Sequence, residues 1–287
     1  MSRVTDFLIC RILFFLSLAG MAVHAQIGLQ LKADYPRYMR YEMIDLKLVI
    51  SNISGNTLVF SNNKEAAENG RIFFAVNEHS GKVAKAFDPN ANPAADLILA
   101  PGESRELRIS INMLHDMQRE GIYSVTAYLN HSRLPKTHLS NTINFEVMEG
   151  STILERNIGL PSQNSTEVIK SIRLLLLLFQ DTEEKKYCLR AEDDEQIYAV
   201  YRLGPYLSGT PAQMDIDGSS SVHILIQVRP KLYSYFIFSF IGRNLNLRQQ
   251  RYYVPDGGTP TITKQTGYLR ISYAKIASEG VDYNLKK

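Results

Sequence analysis

Short runs of alternating apolar and polar residues fill the chain from residue 27 to residue 148. The alternation is clearest over 104–111, 121–130 and 141–148, and it is typical of strands with one buried and one wet face. Turn sequences such as Ser54-Gly55-Asn56 and Pro101-Gly102 separate the runs. The pattern predicts seven or eight strands of a β-sandwich or barrel, over residues 27–33, 44–51, 57–60, 72–78, 82–87, 104–111, 121–130 and 141–148.

The alternation stops after residue 148. Residues 149–164 contain Gly150, Gly159 and Pro161 without a sustained period, which predicts a linker. Asn164 stands three residues before Glu167, a spacing similar to a capping box, and an apolar block follows at 174–179. We therefore expect a helix near 165–184 at the start of a β-rich α+β domain that covers residues 165–287.

Strand patterns return at 196–203, 222–229, 232–241, 246–254 and 268–274. The run LYSYFIFSFI at 232–241 is apolar at nearly every position and lies between two turn sequences. One interpretation is an exposed aromatic surface that binds a ligand. The favoured interpretation is a central strand of an antiparallel meander that is covered on both faces, because large exposed apolar patches are rare on soluble monomers.

One stretch of the first domain resembles a known fold class. The sequence 99–104 (LAPGES), a polar corner through His115 and Asp116, and then Gly121-Ile122-Tyr123-Ser124-Val125 look like the E to F region of immunoglobulin-like sandwiches. The resemblance covers about 120 residues and lacks the disulfide and core tryptophan of antibody domains. It implies an Ig-like β-sandwich over 26–148, with Tyr123 in a structural role in which its hydroxyl binds backbone at the corner.

The C-terminal half is similar to uncharacterised secreted or periplasmic bacterial proteins with such an N-terminal domain. The similarity rests on residues 187–193 (YCLRAED), the strand that contains His223, and residues 267–270 (GYLR). It implies a bacterial source and no known activity.

The N-terminus has the pattern of a cleavable export signal. Arg3 and Arg11 precede an apolar run at 12–22, and Val23-His24-Ala25 fits a signal peptidase site. The apolar run is too short to span a bilayer. We therefore expect a signal peptide at 1–25, a secreted or periplasmic protein that begins near Gln26, and no transmembrane segment after cleavage.

Charge and cysteine content narrow the function further. Residues 1–25 contain two Arg and one Asp, so 30 basic and 28 acidic residues remain. This balance argues against a nucleic-acid partner, which needs an excess of clustered Lys and Arg. Cys188 is the one cysteine after cleavage, so it is either free or forms an intermolecular disulfide.

Templates for catalysis and metal binding do not fit the chain. No His pair has the spacing of a zinc hydrolase helix, and Asp215-Ile216-Asp217-Gly218 lacks the glycine and glutamate positions of a calcium loop. We predict no catalytic set, no metal site and no cofactor.

These observations favour a non-enzymatic exported binding or structural protein that contacts protein or surface polymer. Candidate contact residues are Arg248, Arg251, Tyr252 and Tyr253, because guanidinium and phenol groups make good contact surfaces. Ordinary exposed positions of a strand would give the same pattern.

Two alternative functions remain. The first is a secreted hydrolase whose carboxylates come from Asp193, Asp194, Asp215 or Asp217. The second is a protease-inhibitor-like module that presents the loop 88–96 (DPNANPAAD), in which Pro89 and Pro93 limit the entropy lost on binding.

Overall fold

The computed structural model describes residues 27–62, 69–162 and 165–284. The expected signal peptide at 1–25 and the expected helix cap Asn164 lie outside the described residues. The described chain is mainly β, as the sequence predicted, and contains no helix of seven or more residues.

Among the described residues before 149 there are ten strands and one 3-10 turn. Alternate positions of the long strands are buried, as in Asp45–Asn52. The strands are β1 (Ile27–Ala33), β2 (Arg37–Met39), β3 (Asp45–Asn52), β4 (Leu58–Val59), β5 (Gly70–Glu78), β6 (Ile98–Leu99), β7 (Ser104–Ser110), β8 (Gly121–His131), β9 (His138–Leu139) and β10 (Ile143–Met148). Residues 82–87, predicted as a strand, form only isolated bridges, at Val83 and Ala86.

Two sheets of this N-terminal unit enclose one core. The first has the order β1-β3-β7, and the second has the order β2-β10-β8-β5 with β9 paired to β8. Their inward residues, such as Leu48 and Ile50 from one sheet and Val125 and Phe145 from the other, belong to one buried cluster. Burial of these side chains stabilises the unit because each removes apolar surface from water.

The described residues after 149 form eleven strands, from β11 to β21. They are β11 (Ser151–Ser162), β12 (Ser165–Gln180), β13 (Lys185–Glu192), β14 (Ile197–Pro205), β15 (Gln213–Ile216), β16 (Val222–Arg229), β17 (Leu232–Ile241), β18 (Asn244–Pro255), β19 (Thr261–Gln265), β20 (Tyr268–Ser272) and β21 (Ala274–Ile276). Strand β11 occupies most of the stretch 149–164 that was expected as a linker.

The C-terminal unit also places two sheets around one core. One sheet has the order β11-β12-β13-β14, and the other has the order β15-β16-β17-β18-β21. Leu174 and Leu189 of the first sheet pack with Ile224 and Phe236 of the second. The separate hairpin β19-β20 lies against the outer face of the second sheet, where Ile262 and Ile271 contact a smaller buried cluster.

The helix expected near 165–184 is wrong, because residues 165–180 form strand β12. Leu174 and Leu176 of β12 face the C-terminal core, while Leu175 and Leu177 face the opposite side and pack with Met39 of the N-terminal unit. A strand covered on both faces needs apolar residues at consecutive positions. The continuous block 174–179 is therefore a sign of double burial, and it does not identify a helix.

The same principle applies to β17, the run LYSYFIFSFI. Phe236 and Phe238 face the C-terminal core, whereas Tyr233 and Tyr235 face the cluster beneath the hairpin β19-β20. Residues 232–236 are all buried, which confirms the interpretation of this segment as a central strand covered on both faces. Exposure increases toward the end of the strand, where Ile241 is 55% exposed.

An apolar contact joins the two units. Met39 from β2 lies in one buried cluster with Leu175, Leu177, Phe179 and Cys188 from β12 and β13. Cys188 is free and fully buried there, and burial raises the pKa of its thiol to about 12. The thiol is therefore protonated at neutral pH and unreactive.

Arg202 of β14 adds a polar contact to this interface. Its guanidinium group donates to both carboxylate oxygens of Glu42, to the Asp181 carboxylate (3.2 Å) and to the carbonyl oxygen of Arg37 (2.6 Å). It also lies 4.0 Å from the centre of the Tyr35 ring. Arg202 and Glu42 are more than 150 residues apart in the chain. Their contact therefore holds the two units in one arrangement.

None of the helices in the described residues is both long enough and apolar enough to cross a membrane.

Candidate functional site

A cleft of about 340 Å³ opens beside β5 in the N-terminal unit. Apolar side chains, among them Phe73 and Pro93, share its lining with the polar side chains of Arg71, Asp88 and Asn130. A concave site with mostly apolar walls and a few convergent polar groups is the usual form of a ligand-binding site. This cleft is the candidate site of the protein.

Arg71 has an unusual environment at this cleft. One terminal nitrogen of its guanidinium group donates to the carbonyl oxygen of Pro89. Its Nε is buried and has no hydrogen-bond partner among the described residues. A buried donor without a partner costs free energy, and the rest of the Arg71 side chain lines the cleft.

The neighbouring strand extends the site. Arg71 lies opposite Asn130 and Phe73 lies opposite Tyr128 in the β5-β8 pairing. The rings of Phe73 and Tyr128 stack with their centres 5.2 Å apart and their planes 12° apart. A second cleft of about 380 Å³ also includes Arg71 and Asn130 together with Lys136. The two clefts therefore meet at the Arg71–Asn130 pair.

The loop 88–96, the proposed inhibitory loop of one alternative, forms a wall of the cleft. The Asn92 side chain accepts from the amide of Ile72 (3.1 Å) and donates to the carbonyl oxygen of Gly70 (3.1 Å). Ala94 is 1% exposed. The middle of the loop is thus attached to β5 instead of projecting from the surface.

His115 also lines this cleft. It is 8% exposed, and its Nδ1 lies 3.4 Å from the carbonyl oxygen of Ala84. Burial lowers the pKa of this imidazole. The neutral form is therefore favoured, and His115 can donate or accept a hydrogen bond without carrying charge.

Tyr123 is fully buried at the start of β8. Its hydroxyl donates to the carbonyl oxygen of Arg119, four residues upstream, at 2.8 Å. The hydroxyl thus binds backbone before the strand begins.

The four predicted contact residues all lie on β18, but they do not share one surface. Arg251 lies opposite Tyr235, and Tyr253 lies opposite Tyr233, so both face the side of the hairpin β19-β20. The Tyr235 and Tyr253 rings are 6.0 Å apart in an edge-to-face arrangement.

The other two candidates point elsewhere. Tyr252 lies opposite Ser234, on the opposite face of the sheet, with its ring 4.6 Å from that of Tyr283. Arg248 is the extra residue at a bulge between the pairs Ile237–Gln249 and Phe238–Leu247. The predicted cluster is therefore divided between two faces and a bulge.

The carboxylates of the hydrolase alternative are found in two different sheets. Asp193 follows β13 and binds Lys170 (2.7 Å) and the hydroxyl of Tyr198. Although burial opposes it, these contacts lower the pKa of Asp193. The side chain of Asp194, next to it, is 98% exposed. Asp215 lies on β15 of the other sheet.

Asp217 belongs to a buried chain of three groups. Its Oδ2 lies 3.0 Å from Nε2 of His223, and Nδ1 of His223 contacts the hydroxyl of Tyr235. Burial, followed by the nearby negative charge, raises the pKa of Tyr235 to about 12. Burial opposes ionisation of Asp217, but hydrogen bonds from Ser221 and His223 lower its pKa overall. The three groups satisfy one another inside the C-terminal unit.

Sequence reasoning missed the cleft residues and this chain. Arg71 and Phe73 alternate with Ile72 and Phe74, and a search for aromatic and charged residues at the wet positions of a predicted strand could have found them. His223 is 4% exposed, which the alternation over 222–229 did not indicate. Its imidazole contacts Tyr235 on the neighbouring strand β17 and Asp217 before β16.

The described residues contain no group of three or more His, Cys, Asp and Glu side chains that could hold a metal ion. A comparison of the chain with models of known protein families gave no match, and a comparison with curated proteins gave none either.

Proposed function

We propose that this chain is a non-enzymatic exported protein that binds a surface polymer of the bacterial envelope or exterior through the cleft of its N-terminal unit. The observation that carries the proposal is the cleft beside β5, in which the apolar side chains of Phe73 and Pro93 lie with the polar side chains of Arg71, Asp88 and Asn130. The cleft is already formed, so little conformational entropy is lost when a ligand enters it.

The chemistry of the lining suits a saccharide segment. Arg71, Asp88 and Asn130 offer donors and acceptors for hydroxyl groups, and Phe73 offers an apolar surface. The volume of about 340 Å³ lies at the lower end of the range for small-molecule sites. The cleft therefore fits a short stretch of a polymer.

We also propose an immunoglobulin-like sandwich for the N-terminal unit. Support comes from two antiparallel-rich sheets around one core and from the hydrogen bond between the Tyr123 hydroxyl and the Arg119 carbonyl oxygen. A corner tyrosine bonded to upstream backbone is typical of that fold class. Because this fold hosts many functions, it supports the binding proposal only by analogy.

The geometry favours the two alternative functions less. Asp193 and Asp217 are occupied by Lys170 and His223. The loop 88–96 is attached to β5 through Asn92, whereas an inhibitor needs a loop that a protease can reach. A protein ligand at the cleft remains the second outcome of the experiment below.

Binding can be measured with the purified chain from Gln26 on an array of oligosaccharides released from bacterial surface polysaccharides. The variants Arg71→Gln and Phe73→Ala should each weaken binding about tenfold, a loss of about 1.4 kcal/mol. The matched controls are Arg105→Gln and Tyr206→Ala, which alter an exposed arginine and an exposed tyrosine away from the cleft.

Equal binding by the cleft variants and the controls would refute the proposal. If no oligosaccharide binds but envelope extracts yield a protein whose capture depends on Arg71, the ligand is a protein. Capture of neither would contradict the binding function itself.

Export can be tested separately. Residues 1–25 fused to an alkaline phosphatase that is active only outside the cytoplasm should give an active reporter, and the secreted chain should begin near Gln26. An inactive fusion, or an intact N-terminus on the native protein, would contradict export.

A further inference from the structure

The strand register shows which side chains share the outer face of the second N-terminal sheet. Directly opposite residues of paired strands point to the same face, and so do positions two apart along one strand. Phe73 of β5 lies opposite Tyr128 of β8, and Tyr128 lies opposite Leu139 of β9. These three side chains therefore form one row across three neighbouring strands, which we name the apolar row.

The apolar row is accessible to solvent. Leu139 is 56% exposed, and Phe73 and Tyr128 are partly exposed. Phe74 and Leu129, the next residues along two of these strands, point the other way, into the buried core. Because paired strands lie about 4.8 Å apart, the row extends over about 10 Å. It is thus long enough to contact more than a small ion or a single functional group.

Uncharged residues fill the next two rows of the same face. In the first, Ala75 lies opposite Thr126, whose hydroxyl is 2.7 Å from the Thr142 hydroxyl. The second consists of Val83, Asn77, Ser124 and Asn144. All seven residues are at least partly exposed. In the row beyond, Glu146 and Arg37 are charged but bind each other at 2.8 Å.

The cleft beside β5 is continuous with the apolar row. Phe73 belongs to both, and Arg71, which also lines the cleft, lies opposite Asn130 in the row on the other side. The charged side chains of the cleft lining are Arg71 and Asp88, which have opposite signs. Burial lowers the pKa of His115, so this third titratable group favours its neutral form. The cleft lining therefore has no net charge.

This combination of side chains matches one class of polymer. An exposed apolar patch with a polar rim is typical of a binding site. Apolar side chains can contact the C–H faces of sugar rings, while hydroxyl and amide groups both donate to and accept from sugar hydroxyl groups. A nucleic acid or an acidic polymer needs an excess of cations, and the described residues of these three rows contain none.

We infer that the ligand of the cleft is a neutral polysaccharide whose chain continues from the cleft along the apolar row. Its sugar rings pack on Phe73, Tyr128 and Leu139, and its hydroxyl groups face the row that contains Thr126. This inference rests on the proposed function, because it extends the same site. It adds Tyr128 and Leu139 as binding residues and specifies a polymer without charge.

The test measures binding to the purified chain from Gln26 by titration calorimetry. The probes are neutral hexasaccharides of glucose, of mannose and of N-acetylglucosamine, and the acidic hexasaccharide of galacturonate. The row variants are Tyr128→Ala and Leu139→Ser. Their matched controls are Tyr206→Ala and Leu247→Ser, which alter an exposed tyrosine and an exposed leucine of the C-terminal unit. Melting temperatures equal to those of the controls establish that the row variants fold.

At least one neutral hexasaccharide should bind, and it should bind more tightly than the galacturonate hexasaccharide. Each row variant should weaken its binding about tenfold, a loss of about 1.4 kcal/mol, while the controls should bind like the wild type. The affinity should stay constant between about 0.1 M and about 1 M salt, because salt screens interactions between charges and this contact has none with the ligand.

Two results would overturn the inference and leave the proposed function intact. The first is weaker binding by Arg71→Gln together with wild-type affinity in both row variants, which would confine the ligand to the cleft. The second is tighter binding of the galacturonate hexasaccharide than of every neutral probe, with a loss of affinity at high salt, which would identify an acidic polymer. Binding of none of the probes would contradict both the inference and the proposed polymer binding.

Discussion

The guanidinium group of Arg202 is subject to opposing effects, because burial disfavours its charge and nearby carboxylates favour it. Its guanidinium group compensates the buried carboxylates of Glu42 and Asp181. Burial opposes the charge of Arg202, but the two carboxylates outweigh burial and raise its pKa. A buried ion pair contributes little relative to an apolar pair, but removal of one partner leaves the other charge uncompensated.

We predict that Arg202→Ala lowers the free energy of unfolding by about 3–5 kcal/mol. Urea denaturation measures the change. The control Arg105→Ala removes an arginine whose side chain is 59% exposed and which binds Glu103, and its cost should stay below about 1 kcal/mol. Similar costs for both variants would contradict the importance of the buried contact.

Because His115 and His138 are buried, we predict that the folded protein loses stability in mild acid. Burial lowers the pKa of both imidazoles, and Lys136 lowers that of His138 further. Below about pH 6.5 the unfolded chain therefore binds protons that the folded chain binds less readily, so the folded state loses stability as the pH falls through this range. Asp181 and Asp217, whose pKa values are lowered, lose their contributions only below about pH 4.

The unfolding free energy at pH 7.5 and at pH 5.5 checks this prediction. The double variant His115→Gln/His138→Gln should lose less stability between these pH values than the wild type, whereas the exposed control His79→Gln should behave like the wild type. An unchanged pH dependence in the double variant would assign the acid sensitivity to other groups.

At the scale of secondary structure, β12 shows how packing selects between two conformations of one sequence. Its consecutive residues Leu176 and Leu177 are both fully buried, one in the C-terminal core and the other at the interface between the units. On an amphipathic helix only one stripe of residues is buried.

We predict that Leu176→Ala and Leu177→Ala each lower the free energy of unfolding by about 2–5 kcal/mol, because each leaves a cavity in a different cluster. The control is Ile153→Ala on the neighbouring strand β11, where the side chain is 41% exposed. A small effect at either leucine would be inconsistent with burial on both faces of β12.

At the scale of the whole molecule, the two units share an apolar cluster and two groups of ion pairs. In the second group, Glu149 lies 2.7 Å from Arg190 of β13 and 3.8 Å from Arg40 of the N-terminal unit. Separation of the units would expose Met39, Leu175, Leu177 and Phe179 to water. Each unit therefore depends on the other for part of its stability.

We predict that the chain from Gln26 unfolds in one cooperative thermal transition, with equal calorimetric and van't Hoff enthalpies. A fragment that ends at Met148 should melt at a lower temperature than the full chain. Two resolved transitions in scanning calorimetry, or a fragment as stable as the full chain, would show that the interface does not couple the units.

The strands that could be predicted from the sequence are those with one buried face and one face exposed to water. The alternation over 104–111 and 121–130 predicts β7 and β8, whose observed bounds differ by one residue at one end. The pattern of the sequence pointed to Arg and Tyr side chains on β18 as contact residues, and none of them lines the cleft. It did not indicate that Tyr252 and Tyr253 face opposite sides of the sheet in a region with a bulge at Arg248.

The sequence by itself determined that this protein is mainly β, because alternation with period two is a local property that any strand with one buried face displays. Tertiary structure alone decided that 165–180 is a strand, that His223 is buried, and that Arg71 lines a cleft. The burial of Leu177 against Met39 depends on a partner more than a hundred residues away in the chain, whereas His223 and Arg71 depend on nearer elements that only the fold brings beside them, such as Tyr235 beside His223 and Asn130 beside Arg71. A local pattern cannot encode a contact whose other half lies more than a hundred residues away.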